Sequence, residues 1–296
     1  MSAGFASARS VSRTFVALAL SVAWAPATGF GPDTALAQQA PAAIDMAKLT
    51  SGERALVVGH VAEWPPFYLS EGPAGPVGLD ADIVRAVAKR ASIRWVEFRA
   101  MTFAELPGAL ESGRIDVIAN GFWVLPERQQ RFLLTTPYYL KGGLGFLYRR
   151  ETPFAKAGDL AGKRVASIRG GYVESWIRKH APTATYLPVN RVRDLVSMLE
   201  SGKADVVVTF YTVEKYVASH LDAKEPHRLD AVLVEPHHAA YAMRKSDAAL
   251  ARALDDAVLA MWADGSLYGL KKKYLEDVHI EPATTLPPEL AHPARP

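Results

Sequence analysis

Leu110-Glu-Ser-Gly-Arg-Ile-Asp-Val-Ile118 returns further along the chain as Leu199-Glu-Ser-Gly-Lys-Ala-Asp-Val-Val207. Each copy closes an apolar-striped segment and then reads Gly, one basic residue, Asp and a run of strand formers. The pattern predicts a helix that stops at Gly113 or Gly202 and turns into a buried strand. Glycine supplies the left-handed backbone on which helices commonly end. A short apolar, β-branched run suits a sheet covered on both faces. One βαβ plan used twice predicts two similar α/β lobes, and a cleft between two such lobes is the natural seat of a small ligand.

Outward from the first copy, residues 55–61 read as a strand, followed by the turn Trp64-Pro-Pro-Phe67. Asp80 is placed to cap a helix whose Ile83, Val84 and Val87 share one face. A strand at 93–98, a Thr102/Glu105 capping box and a strand at 116–119 follow. The last runs into Asn120-Gly-Phe-Trp123, and the chain then heads for a crossover near residues 149–153.

The second lobe repeats the plan: a strand at 163–168, the loop Arg169-Gly-Gly-Tyr172, a helix at 173–180, a strand at 185–189, a helix at 194–201 and a strand at 205–209. Residues 240–243 read as a strand returning to the first lobe. A long amphipathic helix on Leu250, Leu254, Val258 and Met261 then stops at Gly265. Two crossings make a hinge, and hinged lobes close on a ligand.

Composition narrows the function classes. The 296 residues are 49% hydrophobic and 22% charged, an ordinary globular balance. Arg9 and Arg13 precede an apolar stretch at 15–25, and Ala35-Leu-Ala37 stands before Gln38. That is the pattern of a cleaved secretory leader over residues 1–37, too short for a membrane span. The chain has no cysteine, which excludes disulfides and a cysteine-linked lipid anchor.

The net charge of +3 is scattered rather than gathered in a stripe, so nucleic acid is a poor partner. The single tight run, Lys271-Lys272-Lys273, reads as a solvated helix face. Segments 38–51 and 278–296 read as a loose N-terminal segment and a flexible tail. His237-His238 is read as a solvated pair beside the hinge, because neighbours on a strand point to opposite faces and nothing else with metal-ligand spacing accompanies them. No phosphate-binding glycine loop follows a strand and no nucleophile elbow appears, so neither cofactor nor metal is expected.

Taken in order, Trp64-Pro-Pro-Phe67, Gly78-Leu-Asp-Ala-Asp82, Gly113-Arg-Ile-Asp116, Pro126-Glu-Arg128, Pro137-Tyr-Tyr139, Asp159-Leu-Ala-Gly-Lys163, Gly202-Lys-Ala-Asp205 and Asp264-Gly265 resemble the extracellular solute-binding proteins of the amino-acid type, family 3, from ABC uptake systems. The resemblance covers residues 52–277. It implies the two-lobe, type II periplasmic-binding fold, each lobe a βαβ-built sheet flanked by helices, with lobe one at 52–148 plus 241–277 and lobe two at 149–240. It also implies a periplasmic monomer that carries a small acid or amino-acid-like ligand to an inner-membrane permease.

Arg128 matches the family arginine that pairs with the ligand's α-carboxylate, for which a planar guanidinium fork is suited. Trp64 falls where an aromatic ring covers the ligand, with Phe67 behind it. Asn120, Gly121, Phe122 and Trp123 follow the third strand towards the cleft. Gly171 and Tyr172 fall on the lobe-two loop whose N–H groups open a helix and can hold an anion.

The match breaks at four places. The family carries a hydroxyl at the positions of Trp123 and Leu125, Ser or Thr at that of Gly171, and an ammonium-neutralising Asp at that of Phe210. A buried ammonium without its carboxylate costs several kcal/mol. The resemblance, so broken, implies an acid-bearing ligand that is not a standard zwitterionic amino acid; an aromatic or flat organic acid and a cation held by ring faces both fit. Glu63 is a candidate substitute for the absent acid.

Two alternatives stand beside binding for uptake. One is a cyclohexadienyl-dehydratase-like enzyme, with Glu174 as an acid whose pKa an apolar cleft would raise. The other is an accessory or sensory protein of the same fold serving a dehydrogenase system.

Overall fold

The computed structural model describes residues 41–73, 75–220 and 229–291; the expected leader, 1–37, lies outside them. In chain order the first half runs α1 (Met46–Ser51), β1 (Leu56–His60), the hairpin β2 (Ser70–Gly72) and β3 (Gly75–Val77), α2 (Leu79–Arg90), β4 (Val96–Ala100), α3 (Leu106–Glu111), β5 (Val117–Ile118), α4 (Pro126–Arg131) and β6 (Leu133–Leu134). The second half runs β7 (Leu144–Arg149), β8 (Arg164–Ile168), α5 (Gly171–His180), β9 (Thr185–Val189), α6 (Val192–Glu200), β10 (Val206–Phe210) and α7 (Tyr211–His220). It closes with β11 (Leu229–Glu235), β12 (Ala242–Met243), α8 (Ala248–Ala263) and α9 (Ser266–Leu275).

Two five-stranded sheets result, ordered β4-β1-β5-β12-β6 and β11-β7-β10-β8-β9. In both, the strand next to one edge pairs in parallel with the two strands that follow its crossovers: β1 with β4 and β5, β8 with β9 and β10. The duplicated phrase has one structural meaning in each lobe. Gly113 (φ 73°) and Gly202 (φ 67°) end their helices left-handed. Three residues on, Asp116 Oδ2 accepts the Val57 N–H at 2.9 Å and an Arg54 N–H at 2.6 Å. Its counterpart Asp205 Oδ2 accepts the Arg164 N–H at 2.8 Å, and Oδ1 pairs with the same residue's guanidinium at 2.6 Å. Each Asp thus pins the start of the corresponding strand, β1 or β8.

β12 lies between β5 and β6 in the first sheet, so the chain crosses between lobes twice. The crossings pair with each other: Ala239 donates to the Tyr139 carbonyl at 2.8 Å, and Tyr139 donates back at 3.3 Å. The sequence placed the first crossing near Arg149, with residues up to 148 in lobe one. Instead β7 pairs antiparallel with both β10 and β11, inside the second sheet. Its run Leu144-Gly-Phe-Leu-Tyr148 is buried throughout, and such a run belongs where both faces of a sheet are covered.

Other local readings also yield to packing. Asp80 does not cap α2; Gly78 takes the cap position, and the Asp80 carboxyl is buried against the Gly121 loop. Residues 46–51, read as loose, form α1, which Asp45 caps by accepting the Ala47 N–H. In the expected flexible tail Val278 and Pro282 are buried, while Glu281, Thr284 and Glu289 are exposed. Lys271 is no solvated residue: it is 1% exposed, with Nζ 3.7 Å from the centre of the Trp262 ring.

Candidate functional site

The cleft forms where the C-terminal ends of β5, β8 and β10 and the crossing strands meet. From lobe one come Trp64, Phe103, Trp123 and Arg128; from lobe two Ser167, Ile168, Gly170, Tyr172, Val173, Thr209 and Phe210. Pro126 opens α4, where its fixed φ suits the first turn, and this places Arg128 on the turn facing the cleft. The guanidinium lies 3.8 Å from the centre of the Phe122 ring and donates one N–H to the Trp123 carbonyl at 3.0 Å. No carboxylate reaches ion-pair distance of it among the described residues. Burial lowers its pKa to about 10, so it stays cationic at neutral pH.

Facing it, α5 opens at Gly171, and the first-turn N–H groups of a helix lack intrahelical acceptors. Guanidinium and helix N-terminus therefore flank one space, both favouring negative charge. Gly171 has φ 77°, and a Cβ there would stand 2.8 Å from the Phe103 ring. A serine or threonine there would be strained by the backbone and would have to displace the Phe103 ring, which favours glycine where the family has a hydroxyl.

Deep in the cleft the rings interlock. Phe210, at the end of β10, lies 4.3 Å from Trp123 and 5.3 Å from Trp64, centroid to centroid. Gly121 (φ 59°) leaves room for it; a Cβ there would come within 2.9 Å of the Phe210 ring. The cavity left among these residues is 20 Å³, room for about one water. Trp64 and Trp123 are buried, and the indole Nε1 of each has no hydrogen-bond partner among the described residues.

Of the residues expected at the site, Arg128, Trp64, Trp123, Tyr172 and Phe210 do meet around one space. Gly171 and Phe122 lie at its outer side, beside Arg128. Gly121 shapes the space without lining it. Phe67 and Asn120 are core: Phe67 is fully buried against Tyr139, and Asn120 accepts the Val61 N–H through its side-chain oxygen at 2.8 Å.

Glu63 does not stand in for the absent acid; it is exposed, 3.5 Å from Arg193 across the cleft mouth. Glu174 is no raised-pKa acid either. It pairs with Arg178 at 2.7 Å and accepts the Gly170 N–H and the Tyr186 hydroxyl, and these contacts, the arginine foremost, hold its carboxyl below the usual range. His237 is not solvated: its ring stacks on Trp123 at 4.6 Å, with Nε2 2.9 Å from Glu235.

Glu235 also accepts the Tyr172 hydroxyl at 2.6 Å and the Trp176 indole N–H at 2.7 Å, tying the cleft wall to the hinge strand. Sequence reasoning missed Glu235, Phe103 and Thr209. Only Thr209, beside Phe210 at a strand end, carried a local signal.

A two-lobe α/β protein with a guanidinium and a helix N-terminus across a hinged cleft is a ligand-binding class of protein. The model of the bacterial extracellular solute-binding proteins, family 3, matches residues 56–277, and the chain belongs to that family. It is 29% identical to the amino-acid-binding protein AabA of Dichelobacter nodosus, over 74% of this chain and 87% of that protein. It is 26% identical to the L-cystine-binding protein TcyJ of Escherichia coli, over 74% and 82%. Among solved structures it resembles an ancestral arginine-binding protein bound to arginine, with TM-score 0.67 and 28% identity over 74% of this chain and 97% of that one. It also resembles an ancestral amino-acid-binding protein titled a precursor of cyclohexadienyl dehydratase, with TM-score 0.68 and 25% identity over 77% and 98%.

Proposed function

We propose that this chain is the periplasmic, monomeric solute-binding component of an ABC uptake system, exported behind the leader at 1–37. In this reading it closes on a small organic acid that lacks an α-ammonium and delivers it to an inner-membrane permease. One observation carries the proposal: Arg128 faces the cleft without an acid partner among the described residues, while Phe210 fills the space across from it and no carboxylate lines the deep pocket. A carboxylate at Arg128 would gain a charge-assisted, two-point contact. An ammonium beside it would be desolvated against rings, at a cost of several kcal/mol. Amino-acid binding by the relatives supports the carboxylate half of the reading.

Isothermal titration with matched pairs, each an α-amino acid and its deaminated analogue, tests it. The expected result is binding of at least one analogue about tenfold or more tighter than its parent. Tight binding of the amino acids with none of the analogues would overturn the reading.

A further inference from the structure

Arg128 borders two spaces of very different size. Inward is the ring-filled pocket of 20 Å³; outward, between the lobes, is a cavity of 420 Å³. Ligand sites commonly measure about 300–1,000 Å³, so only the outer one has room for a ligand body. Its walls are largely apolar: Phe103, Phe122 and Phe132 from lobe one, with Tyr172 opposite. The three phenylalanines are at most 9% exposed, and Phe122 packs edge-on to Phe132 at 6.2 Å.

Two cations reach this space, but Arg131 is paired with Glu111 at 2.8 Å, leaving Arg128 to meet an anion. Glu127 on the rim is exposed to water and acts on Arg128 only as a solvent-screened charge beyond ion-pair distance.

Resting on the acid-binding reading above, we infer that the ligand's body extends outward from Arg128 into this second compartment, and that the ligand is an extended apolar or aryl-substituted carboxylic acid rather than one of amino-acid size. The deep rings then serve as the floor of the site. The carboxylate sits at the junction of the two spaces, and affinity grows with the apolar length lying between Phe103 and Tyr172, which Phe122 and Phe132 back from the core.

The test compares benzoate with 4-phenylbutanoate by calorimetry, on the native chain and on Ser175→Trp. Ser175 borders the outer cavity and is exposed on α5, so the substitution fills the cavity without disturbing a core. The expected result is about tenfold or more tighter binding of 4-phenylbutanoate, since each added CH₂ is buried, with this gain lost in Ser175→Trp and benzoate affinity unchanged. Equal affinity for the two acids, or a gain that survives Ser175→Trp, would overturn the outer compartment and leave acid binding at Arg128 standing. Failure of both acids to bind at millimolar concentration would overturn the two readings together.

Discussion

The Phe210 ring of lobe two lies 4.3 Å from the Trp123 indole of lobe one, tilted by 32°. Centroids at that distance are in full contact, so a lobe-two side chain fills the depth of a cleft built to take a ligand. The contact belongs to closure rather than to either lobe's own core. Phe210→Ala should therefore leave each lobe folded but loosen their contact. Solution scattering should give a larger radius of gyration for the variant, with less change in melting temperature than the ~3–5 kcal/mol typical of a core Phe→Ala. An unchanged radius would show that closure does not depend on this ring.

Gly121 makes that contact possible. Its φ of 59°, and the 2.9 Å that would separate an added Cβ from the Phe210 ring, predict that Gly121→Ala costs about 1–2 kcal/mol in strain alone. Chemical denaturation measures the loss. In Gly121→Ala/Phe210→Ala the steric part should vanish and the backbone part remain.

The paired aspartates of the repeat should not weigh equally. Asp116 is 2% exposed, pairs with Arg54 and lies 3.6 Å from the buried Arg244, whereas the Arg164 partner of Asp205 is 46% exposed. Removing one partner of a buried pair costs about 3–5 kcal/mol, and of an exposed one about 1 kcal/mol or less. Urea unfolding of Asp116→Ala and Asp205→Ala should rank them in that order.

Asp80 gives the fold a pH dependence of defined sign. Its carboxyl is fully buried, accepts the Gly121 N–H at 2.9 Å and the Tyr138 hydroxyl at 2.8 Å, and is pushed up by burial to about 7. The unfolded carboxyl ionises near 3.9. Between these values the unfolded chain loses the proton first, so this group's contribution to stability falls as pH rises from about 4 to about 7 and is level above. Asp80→Asn should gain stability relative to the native chain on going from about pH 5 to about pH 8, read from denaturant midpoints. A constant difference would show that the carboxyl is ionised throughout.

Local chemistry was legible where local chemistry decides. The glycine stops at 113 and 202, the strand at 185–189 and the helix carried by Leu250, Leu254 and Val258 are set by residues within a turn of one another. What failed depends on partners distant in sequence. Asp80 looks like a helix cap until Gly121 and Tyr138 are packed against it, and Lys271 looks solvated until Trp262 and the segment after Val278 cover it. At the site, Arg128 and Phe210 were legible through the motifs and their breaks. Glu235 was not, because its two donors, Tyr172 and Trp176, come from a helix some sixty residues earlier in the chain.

Acid binding depends on the Arg128 guanidinium, and its removal is the most direct test. Calorimetry with the tightest-binding deaminated acid should show Arg128→Ala losing about 30-fold or more in affinity, the equivalent of ~2 kcal/mol. Its ligand-free stability should fall by less than the loss of binding, because it gives up one hydrogen bond to the Trp123 carbonyl and its contact with the Phe122 ring. Undiminished affinity, or a fall in ligand-free melting temperature as large as the loss of binding, would contradict the account and make the residue a structural one.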